Sequence, residues 1–260
     1  MALLITGHPR SGTQLLQRIC DRHPAANLTN EFGCFRGLGT TRLHYAIGIL
    51  GRMWARRQAP IVREPEGDRL GRLLRSYRLE GRFLRHILRQ GPPLVDETAV
   101  ETGLRRLFPE AQVVGDKLPD YVFNLDGLAH RPGVRTIVMY RDARDVVASY
   151  LNRLRNGWDQ MPIFSEFDTP EKIARRWETA IDTMRRHEER VLCVQYETLV
   201  RAPQQTVERI SEWTGLPIDG FDPSIIHSGS VGRHRERLTL KEIASVAQVA
   251  GSTLDALGYT

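Results

Sequence analysis

The segment Leu3-Leu4-Ile5-Thr6-Gly7-His8-Pro9-Arg10-Ser11-Gly12-Thr13 constrains this chain more than any other stretch. An apolar run stops at Gly7, passes through a loop of small residues and enters a helical pattern at Gln14-Leu15-Leu16-Gln17. That pattern predicts a strand, a tight turn and a helix N-terminus, where the first amide N–H groups lack intrahelical acceptors and can face an anion. The spacing Gly7-x4-Gly12 matches the start of the phosphate-loop pattern G-x-x-x-x-G-K-[ST]. The lysine is absent, however: Thr13 follows Gly12 directly, and Arg10 is the one full cation in the loop. Such a loop is poorly equipped for the β- and γ-phosphates of a nucleotide but can hold one terminal phosphate. The same residues also suit a plain strand-to-helix turn, with glycine supplying positive φ and Ser or Thr capping the helix.

A chain of 260 residues can bury a sizeable α/β core. Its net charge of +6 favours an anionic partner, whether nucleic acid, nucleotide or acidic acceptor. Cys20, Cys34 and Cys193 lack C-x-x-C spacing and read as thiols in a reducing compartment. No stretch approaches the roughly 18 apolar residues of a membrane span. The N-terminal apolar run is too short for a signal peptide. The expected location is therefore cytoplasmic. No H-E-x-x-H, Cys/His cluster or aspartate-rich loop calls for a metal.

Strands are expected at Leu3–Thr6, Leu94–Asp96, Gln112–Val114, Thr136–Tyr140 and Val191–Gln195. Helical patterns cover Thr13–Arg22, Asp68–Arg89, Tyr121–Ala129, Ala143–Asn156, Pro170–Glu189, Pro203–Thr214 and Leu240–Leu257, the last with Gly258 as its cap. Gly157 and Pro162 suggest a loop between the fourth and fifth of these helices. The alternation predicts a single α/β domain, with a mostly parallel central sheet flanked by helices. Residues 30–91 interrupt the rhythm. They include arginines at helical spacing (Arg69, Arg72, Arg75, Arg78, Arg82, Arg85 and Arg89) opposite Leu70, Leu73, Leu74, Tyr77, Leu84, Ile87 and Leu88. This basic amphipathic helix is either a solvated arginine face or a docking surface for an acidic acceptor or other anionic partner.

A second informative segment is Thr136-Ile-Val-Met-Tyr-Arg141-Asp-Ala-Arg-Asp145-Val-Val-Ala-Ser149. A buried strand runs into Arg141, at the carboxyl end where ligands gather in open α/β sheets. Asp142 suits an N-cap, and Asp145 is favourable near a helix N-terminus. Ser149 falls on nearly the same helix face as Asp142, so it can share an anion with Arg141. The competing reading is a capped helix with a surface serine and an Arg141–Asp142 pair.

Together the two segments resemble the sulfotransferase family. Gly-x-Pro-Arg-Ser-Gly-Thr looks like its 5′-phosphosulfate loop, and Arg141-Asp-x-Arg-Asp-Val-Val-x-Ser149 like its 3′-phosphate motif. Gly115-Asp116-Lys117-Leu118-Pro119, Val194-Gln195-Tyr196-Glu197-Thr198-Leu199 and Gly232-Arg233-His234-Arg235 extend the resemblance over most of the chain. His234 is a departure, because many relatives carry Trp there. The chain looks nearest to the bacterial and Golgi branch directed at carbohydrates and tyrosyl groups.

The resemblance implies 3′-phosphoadenosine-5′-phosphosulfate (PAPS) as donor, 3′-phosphoadenosine-5′-phosphate (PAP) as product, and a hydroxyl or amine as acceptor. It implies nucleotide contacts from Pro9, Arg10, Ser11, Gly12, Thr13, Gln14, Arg141, Ser149, Tyr196, Gly232 and Arg233. Arg10 would act on the 5′ end, with Lys117 neutralising transition-state charge. Glu31, after His23-Pro24, is the candidate general base, and Glu97 and Asp116 are the other carboxylates considered. Lys117 could instead be ion-paired beside Asp116. The acceptor itself (sugar, lipid, peptide tyrosine or secondary metabolite) is not specified, and residues 30–91 form the variable acceptor-side region. A small-molecule or nucleotide kinase fits less well because the loop lacks its lysine. A nucleic-acid module built on the arginine helix also fits less well, because aromatics make up only 7% of the chain and no recognition motif is present.

Overall fold

The structure, a computed structural model, describes residues 1–56, 60–62, 69–158, 166–227 and 229–259. Its centre is a five-stranded parallel sheet built from β1 (Ala2–Thr6), β2 (Ala26–Asn30), β3 (Val113–Lys117), β4 (Val134–Tyr140) and β5 (Leu192–Gln195), in the order β2-β3-β1-β4-β5. β1 is buried throughout and its side chains divide by the period of two. Ala2 and Leu4 pack toward α2 (Arg42–Arg56), α3 (Arg69–Gln90) and α4 (Glu97–Leu107), whereas Leu3 and Ile5 pack toward α1 (Thr13–Asp21). Each fully buried Leu or Ile contributes roughly 1.5–3 kcal/mol relative to exposure, so burial on both faces fixes the register of this central strand.

The remaining helices complete both layers. They are α5 (Leu125–Leu128), α6 (Ala143–Arg153), α7 (Pro170–Arg186), α8 (Tyr196–Arg201), α9 (Pro203–Thr214), α10 (His234–Arg237) and α11 (Leu240–Ala256). Val138, on the opposite face of β4 from Ile137 and Met139, joins the core of α6, α7 and α11 around fully buried Trp177. Thr239 and Glu242 form a capping box on α11, and Gly258, at φ +77°, ends it.

From β1 the chain crosses to one side of the sheet, and from β4 to the other. The loops that follow these two neighbouring strands therefore flank the topological switch point. Gly7 makes the first loop feasible. It sits at φ +142°, and a Cβ there would lie 2.0 Å from Met139 O.

Several elements differ from the sequence expectation. Leu94–Asp96 is not a strand. Leu94 makes one antiparallel bridge with Thr41, and Asp96 caps α4 by accepting from Ala99 N at 2.8 Å. The fifth strand is β2, whose sequence Ala-Asn-Leu-Thr-Asn has little intrinsic β preference and is held by pairing with β3 along one edge. Tyr121–Ala129 splits into a 3₁₀ turn, Pro119–Asn124, followed by the single turn α5. The helix expected to Asn156 ends at Arg153, and Gly157 (φ +104°) breaks the turn that follows. Pro162 lies outside the described residues. The apolar side of α3 is only partly covered: Leu84 and Ile87 are buried, whereas Leu70, Leu74, Tyr77 and Leu88 are exposed.

Gly7→Ala is expected to lower the unfolding free energy by at least about 2 kcal/mol, because both its φ and the Met139 carbonyl oppose a side chain. Chemical denaturation at constant m-value checks this, and an unchanged midpoint would contradict it.

Candidate active site

The loop after β1, the end of β3 and the start of α6 enclose a cleft of about 960 Å³. Of the residues expected to hold the nucleotide, Pro9, Arg10, Gly12, Thr13, Gln14, Arg141, Ser149, Tyr196 and Arg233 line it. Ser11 is buried in the loop behind them, and Gly232 does not line the cleft but donates its amide to Asp145. The loop is shaped by positive φ at Gly7, Arg10 (+77°) and Gly12 (+99°). A Cβ on Gly12 would strike the Tyr196 ring at 2.5 Å, so the start of α1 rests directly on that aromatic. His8 is buried, and burial together with the charge of Arg176 pushes it down to about 3. It is thus a neutral structural residue of the loop.

Arg10 Nε donates to Ser149 Oγ at 3.0 Å. The residues assigned to the two ends of the nucleotide therefore meet across the cleft. Burial draws the Arg10 guanidinium below its ordinary value, and Arg153 and Arg141 add to this, with Glu31 opposing. Arg153 and Arg141 thus set further positive charge beside Arg10.

Asp145 is the hub of the opposite wall. Its carboxylate accepts from Arg141 Nη2 (3.0 Å), Gly232 N (2.8 Å) and His234 N (2.9 Å), and lies 2.9 Å from His234 Nδ1. Burial pushes Asp145 up, but the His234 hydrogen bonds, the Arg141 charge and the Gly232 amide outweigh it and hold the carboxyl well below the usual range. Arg141 also donates to Ser230 O and stacks 4.4 Å over the Tyr196 ring. Trp177 Nε1 fixes the Arg141 carbonyl at 2.9 Å, while Glu197 accepts from Asp142 N (3.2 Å) and from Tyr259 OH (2.9 Å). The alternative Arg141–Asp142 pair does not form, because Asp142 caps α6 and pairs with Arg144 at 2.8 Å. Ser149 hydrogen-bonds Arg10 instead of turning to Arg141.

At the other edge, β2 and β3 place Glu31 and Lys117 side by side. Glu31 N donates to Lys117 O at 2.6 Å, and Lys117 Nζ to Glu31 Oε1 at 2.6 Å. Lys117 is 1% exposed, while the Glu31 side chain is 44% exposed toward the cleft. Lys117 is thus paired with Glu31 and not with Asp116. Asp116 is fully buried and accepts from Thr29, Phe32, Gly33 and Tyr121. Burial raises its pKa against those four hydrogen bonds. Glu97 pairs with Arg131 at 3.2 Å and does not line the cleft. Of the three carboxylates considered as base, Glu31 alone lines the cleft.

Sequence reasoning missed Arg36, Arg52, Asp120, Arg153, Arg176 and Arg237, which also line the cleft. A separate cavity of about 370 Å³, lined by Arg82, Arg85, His86, Arg89, Arg106 and Leu107, lies along α3 and α4 away from these motifs.

A family model described as "Sulfotransferase family" matches residues 2–220. The chain belongs to the sulfotransferase family. Solved sulfotransferases share its fold. A sulfotransferase domain from the curacin biosynthetic pathway aligns at TM-score 0.60 and 16% identity, covering 100% of this chain and 98% of that one. A Mycobacterium avium sulfotransferase aligns at TM-score 0.50 and 17% identity, covering 98% and 76%. A mouse sulfotransferase complexed with PAP aligns at TM-score 0.50 and 13% identity, covering 98% and 84%. No curated protein matches the chain. Among the described residues no helix of this sulfotransferase is long and apolar enough to cross a membrane.

Asp145→Asn is expected to cost about 3–5 kcal/mol at neutral pH, because it leaves the buried Arg141 charge without its partner. Since the folded-state pKa of Asp145 is depressed, its contribution is present above the unfolded value near 4. It is lost as pH falls through the lower folded value. Urea unfolding from pH 7 downward checks both points: the wild type should lose stability on acidification more steeply than the variant.

Proposed function

We propose that this sulfotransferase moves a sulfuryl group from PAPS to a hydroxyl or amine acceptor by in-line displacement. The observation that carries the reading is a pair of orphaned donors. Ser11 Oγ in the loop and Arg141 Nε across the cleft are both buried and have no hydrogen-bond partner. A buried donor without a partner costs about 1–3 kcal/mol, so both atoms call for an acceptor that an anionic ligand brings. One donor sits at a helix N-terminus and the other at the end of β4, which suits a ligand with two separated anionic groups.

In this reading PAPS supplies an activated sulfuryl group on a phosphate leaving group. The amides of Arg10, Gly12 and Thr13, with the Ser11 hydroxyl, would hold the 5′-phosphosulfate, the Ser11 amide being taken by His8 O at 3.0 Å. Arg141 and Ser149 would hold the 3′-phosphate, and Arg10 reaches between the two ends. Gln14, Tyr196, Gly232 and Arg233 complete the nucleotide wall. Lys117 stabilises charge developing on the leaving oxygen, since an ammonium has three N–H donors and can keep Glu31 while serving another acceptor. Glu31 takes the acceptor proton from its partly exposed position. Residues 30–91 form the acceptor-side region. Cys20, Cys34 and Cys193 are free thiols, which fits a reducing, cytoplasmic setting.

Calorimetric titration tests the reading. PAP should bind at least about tenfold more tightly than AMP, because AMP lacks one of the two anionic groups. Arg10→Ala should weaken PAP binding by about 10- to 100-fold. Glu31→Gln should leave PAP affinity nearly unchanged while lowering transfer to a hydroxyl acceptor by about 10²- to 10⁴-fold. Equal affinities for PAP, AMP and ATP would contradict the donor assignment.

A further inference from the structure

The cleft carries more positive charge than a nucleotide donor consumes. Among the described residues, nine Arg or Lys side chains line it against three carboxylates, an excess of six. A bisphosphate-type donor brings roughly four negative charges at neutral pH. The surplus has a definite place. Arg52, on α2, buries its Nε and Nη2 atoms without giving either a hydrogen-bond partner, and Arg36 Nε is in the same state. Arg36 still has Asp120, at 3.3 Å, which it shares with Arg176 at 2.9 Å. Arg52 has no ion pair with any described carboxylate.

The surroundings of Arg52 do not neutralise it. Burial draws its guanidinium below the ordinary value, and Arg36 repels it. The groups opposing that shift are Tyr45, Tyr121 and Cys34. Burial pushes all three of those well above their ordinary values, so they remain protonated and uncharged. Asp116 lies behind Gly33 with its oxygens already engaged by four donors. Arg52 packs against the backbone two residues beyond Glu31: a Cβ on Gly33 would stand 2.9 Å from its Nε. The charge therefore sits against the segment that follows the proposed base. Arg52 lines the cleft, and a guanidinium fork offers parallel N–H donors that match a carboxylate or phosphate.

We propose that Arg52, supported by Arg36, receives an oxyanion on the acceptor. The acceptor is then a hydroxyl or amine compound that also carries a carboxylate, phosphate or sulfate group. This rests on the sulfotransfer reading above. A buried cation without a partner is costly to the empty protein, and an acceptor oxyanion removes that cost on binding, so anionic acceptors are selected over neutral ones of the same shape.

Matched probe pairs test it on protein saturated with PAP: glucuronate against glucose, 4-hydroxyphenylacetate against 4-methylphenol, and glycerol 3-phosphate against glycerol. Binding is read by calorimetry and transfer by label from sulfur-35 PAPS. The anionic member of at least one pair should bind tenfold or more tightly than its neutral partner. Arg52→Gln should abolish that preference with PAP affinity unchanged, and Arg52→Lys, which keeps charge but loses the fork, should retain only part of it. Without any ligand, Arg52→Met should raise the thermal midpoint, since it keeps the apolar stem and removes the unpaired charge. Equal binding of neutral and anionic partners, no binding by any anionic probe, an equal loss for both members in Arg52→Gln, or a lowered midpoint in Arg52→Met would each overturn the proposal. The same titrations without PAP keep the two readings apart. Failure of PAP to bind overturns the donor assignment, and the probe pairs still score Arg52.

Discussion

The arrangement of the cleft depends on the Asp145 carboxylate. It lies in the first turn of α6 and is almost wholly buried, and it ties the end of β4 to a segment some ninety residues later through Gly232 and His234. Without it, Arg141 would lose the partner that aims its guanidinium across the Tyr196 ring. Around this hub Trp177 fixes the Arg141 carbonyl, and Glu197 joins the Asp142 amide to Tyr259 at the far end of the chain. A buried carboxylate with four donors is rigid because any displacement leaves a charge unsatisfied in a low-dielectric site. Rigidity at this point suits a site that must present several cations in a fixed geometry before its ligand arrives.

Those cations impose the second constraint. Arg153 and Arg141 act on Arg10 beside the loop after β1, and Arg36 acts on Arg52 at the other end of the cleft. The sheet can hold them together because it is buried on both faces and its register is fixed, so the repulsion does not splay the loops. Local stability is spent on function here in the sense that the protein retains buried guanidinium atoms without partners.

Much of this was legible in the sequence where chemistry and local structure coincide. The Gly7–Thr13 loop and the Arg141–Ser149 segment each announce a strand, a turn and a helix start in consecutive residues, and their place beside the switch point follows from any parallel sheet that makes them neighbours. Tyr196, Gly232 and Arg233 came from resemblance; Tyr196 and Arg233 line the cleft, and Gly232 binds Asp145 beside it. Elements whose stability is tertiary were not legible. β2 forms because β3 offers it an edge, and α2 and α4 carry mixed faces that the pattern around Leu94 obscured. The Lys117–Glu31 pair depends on β2 and so could not be foreseen. Nor could Arg36, Arg52 or Arg176, since no local motif marks an arginine that reaches a cleft from a distant loop or helix. A signal did exist for Asp145: an acidic residue four positions after Arg141, in the first turn of the helix that follows, can fold back to pair with it.

The central claim is that one cleft holds two separated anionic groups of a nucleotide, between the Arg10–Thr13 loop and the Asp145-anchored wall. A crystal structure of the protein with PAP tests it most directly. The account predicts one phosphate on the loop amides and Ser11 Oγ, and the other bonded to Arg141 Nε and Ser149, with the Asp145 contacts to Gly232 and His234 intact. A nucleotide seated instead in the Arg82–Arg106 cavity, or one phosphate left in solvent with Arg141 Nε still unpaired, would contradict it.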